Sequence, residues 1–353
     1  MAHKRIHPLL LAASSLLALS LLLAVFPTAV LDAALRGVSI WWEVLFPALF
    51  PFFVLSELLL GFGIVHFFGT LLDPLMRPLF RIPGIGGFVV TMGFVSGYPV
   101  GARLTAQLWE QKLIGRAEGE RLVAFTTSSD PIFLIGAVSV GFFHNAALAP
   151  LLAAAHYGSA MAIGLLMRFH DRKAPMTASK VEAQPPGRTR AGRALHAMHA
   201  ARLADGRTLG RLIEDAIGSA LRLMMVVGGL VVFFSVLMEV LTHAGILRVL
   251  VLLLQELLGA MQLPEQLSGA IVNGLFEVTL GAKAAAEGGG LVHQAAAAAA
   301  VLSWGGLSVH AQVASLLGRT PLRYRPFVLA RTVHCVLAVL LVYTLWWWMG
   351  PAG

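Results

Sequence analysis

Apolar runs dominate the chain, and its information lies where polar residues interrupt them. About 20 apolar residues suffice to cross a bilayer as a helix. By that measure the sequence predicts seven spanning helices, over 8–31, 37–62, 119–143, 147–167, 214–241, 291–317 and 326–349. A shorter segment, 64–81, sets its apolar residues among Asp73, Arg77 and Arg81, an interfacial pattern; another, 246–260, is amphiphilic. Two further stretches, 83–113 and 264–290, are apolar but broken, by "GFVSGYPVGAR" at 93–103 and "GLFEVTLGAK" at 274–283. Polar interruptions also fall inside two predicted spans, "TTSSDP" at 126–131 and "SWGGLSVH" at 303–310.

Composition makes lipid the solvent. The 353 residues are 58% hydrophobic and 12% charged, whereas a soluble domain carries about 25% charged residues. The net charge of +8 does not point to nucleic acid, because the cations collect in short loops, as cytoplasmic loops do. Ten lie between 168 and 211, opposed only by Asp171, Glu182 and Asp205, and "AQPPGRTRAG" within that stretch reads as a flexible linker. The chain therefore divides into an N-terminal transmembrane helix (1–36), a first repeat (37–167), a basic cytoplasmic linker (168–213) and a second repeat (214–349). The run from Leu9 to Val25 follows Lys4 and Arg5 as a leader would. It is long and lacks a small-x-small cleavage site, so it reads as a membrane helix. The single Cys335 permits neither an internal disulfide nor a cysteine metal cluster. No zinc-hydrolase, phosphate-loop or nucleophile-elbow motif is present, and the expectation is a protein that is not an enzyme.

With Lys4 and Arg5 inside, every basic cluster falls on the cytoplasmic side if 83–113 and 264–290 each dip into the membrane and return. The order helix, short segment, broken stretch, helix, helix then occurs twice, starting from opposite sides. That is an inverted repeat, the common plan of secondary transporters.

Backbone breaks at membrane depth persist only where they are buried in protein or line a wet cavity. Two hairpin tips and two mid-span breaks predict one shared cavity. Each tip starts a returning half-helix whose free N–H groups favour an anion. Arg103 and Lys283, one turn on, either complete that anion site or snorkel to the interface. Asp130, just before Pro131, and Glu277, in the second tip, are costly in lipid unless paired or titrating. Each is a substrate contact, an ion ligand, a proton carrier or the partner of a cation, Lys283 in the case of Glu277. Ser96, Gly97 and Tyr98 shape and line the first tip; Thr127, Ser128 and Ser129 the first break; Asn273 and Thr279 the second tip; Ser303 and Ser308 the second break. Their polar groups serve a substrate or their own helix backbone. Trp304 stacks on a flat ring or packs, and His310 and Gln312 face the same choice as the hydroxyls. The expected partners are a small anionic substrate and the lipid bilayer, with a homo-oligomer compatible, no nucleic acid, and no cofactor beyond a coupling proton or sodium ion.

"GFVSGYPVGARLTAQL", "SSDPIFLIGAVSVGFF", "GLFEVTLGAK", "WGGLSVHAQVASLL" and "YRPFVLAR", in that order, resemble the YlbJ-type sporulation integral membrane proteins, which carry two nucleoside-recognition, or Gate, domains. The resemblance covers most of residues 40–345 and leaves out the basic linker. It implies an all-α polytopic fold, an inverted repeat of Gate domains with two re-entrant hairpins, similar to concentrative nucleoside transporters. It also implies a spore-forming bacterium and a role in moving dipicolinate across the outer forespore membrane by alternating access. Nucleoside or other small-anion transport and a non-transporting scaffold in spore-envelope assembly are the alternatives.

Overall fold

The structure is a computed structural model that describes residues 8–178 and 189–351. Lys4, Arg5, Lys180, Arg188 and most of the predicted flexible stretch at 183–192 lie outside the described residues. The described chain is helical almost throughout, with no strand.

The predicted span 8–31 is instead two helices, α1 (Pro8–Val25) and α2 (Pro27–Ser39), meeting at a 100° bend. Pro27 lacks the N–H that a continuing helix needs and opens α2 at its first position. From there the helix runs without a stop through a π-helical segment, Ile40–Leu45, into α3 (Phe46–Gly61), so the predicted gap at 32–36 does not exist. The widened turn sits just ahead of Pro47 and Pro51, which cannot donate to the preceding turn. α4 (Ile64–Phe80) then turns by 81°. Asp73 fixes its far end, accepting from Arg77 Nε at 2.6 Å and from the Gly84 amide at 2.8 Å.

Both broken stretches are hairpins. The first has two arms of 11 residues, α5 (Gly86–Ser96) and α6 (Val100–Glu110). Each arm is roughly 16 Å long, about half the hydrocarbon thickness. The chain leaves this hairpin where it entered, because Arg121, on α7 (Arg116–Thr126), donates to the Arg81 carbonyl at 2.6 Å. The second hairpin is α12 (Ser268–Phe276) and α13 (Val278–Ala285), hinged at Glu277. Its ends close likewise, with Gly288 and Gly289 against Gln266 and Pro264.

Seven predicted spans become four long apolar helical stretches, 146–167, 209–243, 291–317 and 324–349, and up to six if each of two bent pairs counts as one. The span predicted at 119–143 is α7 followed by irregular residues 127–131 and a second π-helical segment, Ile132–Phe142, each half too short to cross. α8 (Ala149–Met167) follows. The basic linker contains an unpredicted helix, α9 (Arg190–Asp205), which packs on α4 and lays Arg202 over the Phe62 ring at 5.7 Å. α10 (Leu209–His243) begins inside the predicted linker, and α11 (Ile246–Ala260) leads to the second hairpin. α14 (Leu291–Trp304) and α15 (Gly306–Leu317) form the second broken span, and α16 (Tyr324–Met349) closes the chain.

α16 serves as a ruler. Ahead of its first turn, Arg323 donates twice to Glu120, both at 2.9 Å, beside the base of the first hairpin. Near its other end Tyr343 meets His293 at 2.7 Å, beside the base of the second. Those positions are roughly 30 Å apart along a helix, so the two hairpins rise from opposite ends of the molecule. Between them α16 packs on the alanine run, with Ala295, Ala298 and Ala299 fully buried; small side chains let the two helices approach closely. Outward, Leu329, Met225 and Leu253 are more than 60% exposed, a surface made for lipid. Trp347 and Trp348, 90% and 83% exposed, stand at the end of α16 as interface anchors. The chain is an integral membrane protein.

Candidate functional site

The two tips and the two breaks meet at one cavity of about 80 Å³. Tyr98 lines it from the first tip, Asp130 and Phe133 from the first break, Glu277, Val278 and Thr279 from the second tip, and Ser308, Val309 and Gln312 from the second break. Leu45, Val227 and Val231 complete the wall. The convergence depends on two glycines. At Gly97 (φ 72°) a Cβ would lie 2.8 Å from Asp130 Oδ2, and at Gly306 (φ 74°) 2.9 Å from the Phe276 carbonyl. Any side chain there would push a tip off its break, and the backbone conformation itself disfavours one.

Four helical segments start beside this cavity: α6, Ile132–Phe142, α13 and α15. Two of the starts are already neutralised. Asp130 Oδ1 accepts from the Phe133 amide and Glu277 Oε2 from the Leu280 amide, both at 2.8 Å. Each carboxylate thus takes up an amide in the first turn of its own half-helix, Glu277 as the N-cap of α13 and Asp130 from just ahead of Ile132–Phe142. The starts of α6 and α15 have no side-chain cap.

Behind the cavity a fully buried polar group ties the breaks together. Arg331 Nη1 donates to the carbonyls of Thr127 (2.5 Å) and Ser303 (3.3 Å), and Nη2 to that of Ala124 (2.6 Å). The carbonyls at the end of a helix have no intrahelical partner, and one guanidinium serves those of both α7 and α14. No carboxylate pairs with Arg331 among the described residues. His156 sits alongside. Its Nε2 accepts from the Ser129 amide at 3.1 Å, so the proton lies on Nδ1, which donates to Ser303 Oγ at 3.0 Å. Ser128 lies 2.8 Å from the same Nε2, and His334 Nε2 donates to the His156 carbonyl at 2.9 Å. His156 and His334 were missed by sequence reasoning. The available signal was an ionisable residue in an otherwise apolar helix.

The predicted site residues therefore separate. Tyr98, Asp130, Glu277, Thr279 and Ser308 line the cavity, as does Gln312. Gly97 packs on Asp130 just beside it. Ser128, Ser129 and Ser303 serve His156, while Thr127 Oγ1 donates to its own helix at the Val123 carbonyl. Ser96 is buried one residue short of the tip. Asn273 lies a turn before Glu277 on α12, and its carbonyl accepts from the Glu277 amide. Trp304 Nε1 donates to the Leu275 carbonyl, and its ring lies 4.2 Å from that of His310, whose Nδ1 meets the Tyr324 hydroxyl at 2.7 Å.

The two cations do not stand at the cavity. Arg103 turns to Glu57 and to Ser219 Oγ, with Gln107 joining from the next turn at 2.8 Å. At 11% side-chain exposure its charge is costly to leave unpaired, and Glu57 is the carboxylate within reach. Lys283 lies in the last turn of α13, exposed and away from the cavity. No ion pair joins Glu277 to Lys283 or Asp130 to an arginine among the described residues. The cavity wall thus carries two carboxylates and no cation.

The family described as Gate, nucleoside recognition, matches residues 42–179 and 224–320. Over 338 residues the chain is 46% identical to the sporulation integral membrane protein YlbJ of Bacillus subtilis (strain 168), covering 96% of this chain and 82% of that one. An uncharacterized protein of Alkalihalophilus pseudofirmus is 32% identical over 111 residues, 30% of this chain and 24% of its own. No solved structure matches.

Proposed function

Because the chain belongs to the YlbJ-type sporulation integral membrane proteins, built on Gate domains, we propose that it is a transporter. Its cargo is a small aromatic dicarboxylate, dipicolinate, and it works by alternating access across the outer forespore membrane. The observation that carries the reading is the meeting of both hairpin tips and both helix breaks at one cavity. A scaffold has no need to bury four backbone breaks around a shared space. The rise of the hairpins from opposite ends of α16 supports an inverted repeat rocking about that space. The cargo lies against Tyr98, Ser308 and Gln312, beside the starts of α6 and α15, which have no side-chain cap. Arg103 acts at a distance, by seating the first hairpin on α3 and α10. The N-terminus and the 168–213 linker are cytoplasmic. That orientation is supported by the gathering of Arg81, Arg116, Arg121, Arg172 and Arg323 at one end.

A nucleoside is the second reading, favoured by the carboxylate lining, which accepts from ribose hydroxyls without repulsion. Uptake by proteoliposomes, measured side by side with dipicolinate and a nucleoside panel, decides between them. Dipicolinate uptake above protein-free vesicles is the expected result. Uptake of nucleosides alone would replace the cargo, and uptake of neither would overturn transport in favour of a scaffold.

A further inference from the structure

We propose that Asp130 and Glu277 are proton carriers, each taking up one proton as a dicarboxylate enters the cavity, so that cargo and protons cross together as a neutral load. The inference rests on the dicarboxylate reading above and names the coupling ion for it.

Asp130 and Glu277 line the same space from opposite hairpin–break pairs, and no cation lines it with them. Of the nearby cations, Arg103 is committed to Glu57, Arg331 to three backbone carbonyls, and Lys283 is exposed away from the cavity. Ionised carboxylates only accept hydrogen bonds, and so do the carboxylates of the cargo. Two acceptors cannot pair unless a proton stands between them. With one proton on each protein carboxyl, Asp130 and Glu277 become donors to the two ends of a dianion, and the repulsion among four charges in one narrow space is removed. The protons come from water on the loading side and return to water on release. No bond other than O–H forms or breaks.

The neighbours permit this titration. Tyr98 and Tyr157 stand near Asp130, and Arg331 lies beyond Thr127. Facing Glu277 from α10 and α15 are Val227, Val231, Ser308 and Gln312, none of them charged. One oxygen of each carboxylate caps a half-helix, and the Thr279 side chain also bonds the Glu277 carboxylate.

The test is calorimetric binding of dipicolinate to the purified full chain, repeated in buffers of different ionisation enthalpy to count protons. About two protons taken up per dicarboxylate is the expected result near neutral pH. Glu277→Gln and Asp130→Asn keep the acceptor oxygen that caps each helix, so the fold is retained, and each should lower the count by about one. The double variant should bind with no proton uptake and lose the pH dependence of affinity. In proteoliposomes, uptake should follow a pH gradient and ignore a sodium gradient. Binding without proton uptake, or a count unchanged in the variants, would overturn this inference while the cargo stands. Absence of any binding would overturn the cargo and the inference together.

Discussion

The Tyr98 hydroxyl donates to the Leu302 carbonyl at 2.5 Å, so the tip of the first hairpin rests on the last turn of α14. The residues are 204 positions apart, and their bond links the first repeat to the break in the second. Tyr98→Phe keeps the ring and removes only the donor. The expected loss is about 1 kcal/mol of stability, with a larger fractional loss of uptake, because the tip is no longer seated. Thermal unfolding in detergent, run beside the uptake assay, checks both. Unchanged values in the two would show that the bond contributes nothing.

Arg331 makes three hydrogen bonds behind the cavity. Replacing it with Met leaves the carbonyls of Ala124, Thr127 and Ser303 unserved in a fully buried setting. At about 1 kcal/mol or more for each orphaned group, the cost should exceed roughly 3 kcal/mol. Arg331→Lys retains the charge but not the fork that reaches both helix ends, and should fall between. The fraction of monodisperse protein after graded heating measures the order.

The Arg103–Glu57 pair calls for a double-mutant cycle. Arg103→Gln leaves Glu57 unpaired at 14% side-chain exposure, and should destabilise by roughly 3 kcal/mol. Glu57→Gln should do the same from the other side. The double variant should recover most of the loss, since a neutral pair needs no counter-charge. If Arg103→Gln abolished uptake with stability intact, the residue would belong to the cargo site after all.

Gly97→Ala meets Asp130 Oδ2 at 2.8 Å in a backbone conformation that L residues avoid. A loss of roughly 1–2 kcal/mol is expected, together with reduced uptake. Gly136→Ala is the control. It lies in the π-helical half of the broken span that carries Asp130, with nothing within 4 Å of the new methyl, and should be near neutral. Equal effects of the two would mean that helix propensity, not tip seating, is being read.

Hairpin tips at 97–99 and at Glu277, and breaks after Thr126 and Trp304, were legible because a proline, glycines or charges inside apolar runs have few structural uses at membrane depth. The first bend was not. Pro27 was absorbed into an apolar run that reads equally well as one helix or two. Helix α9 was hidden by its charge, since a basic stretch between spans looks the same whether it is helical or extended.

Residue order alone established that lipid is the solvent, that two stretches fold back, and which polar residues stand at the breaks. These follow from hydrophobicity and backbone satisfaction, which are local and read along the chain. Which charges meet emerged from the packing of the helices. Arg103 follows the tip closely in sequence, yet one helical turn rotates it onto α3 and α10. Arg331, far along the chain, reaches both breaks because α16 runs behind them. Pairing of buried charges is settled by which elements pack together, and for that reason the cavity holds carboxylates where the linear order promised cations.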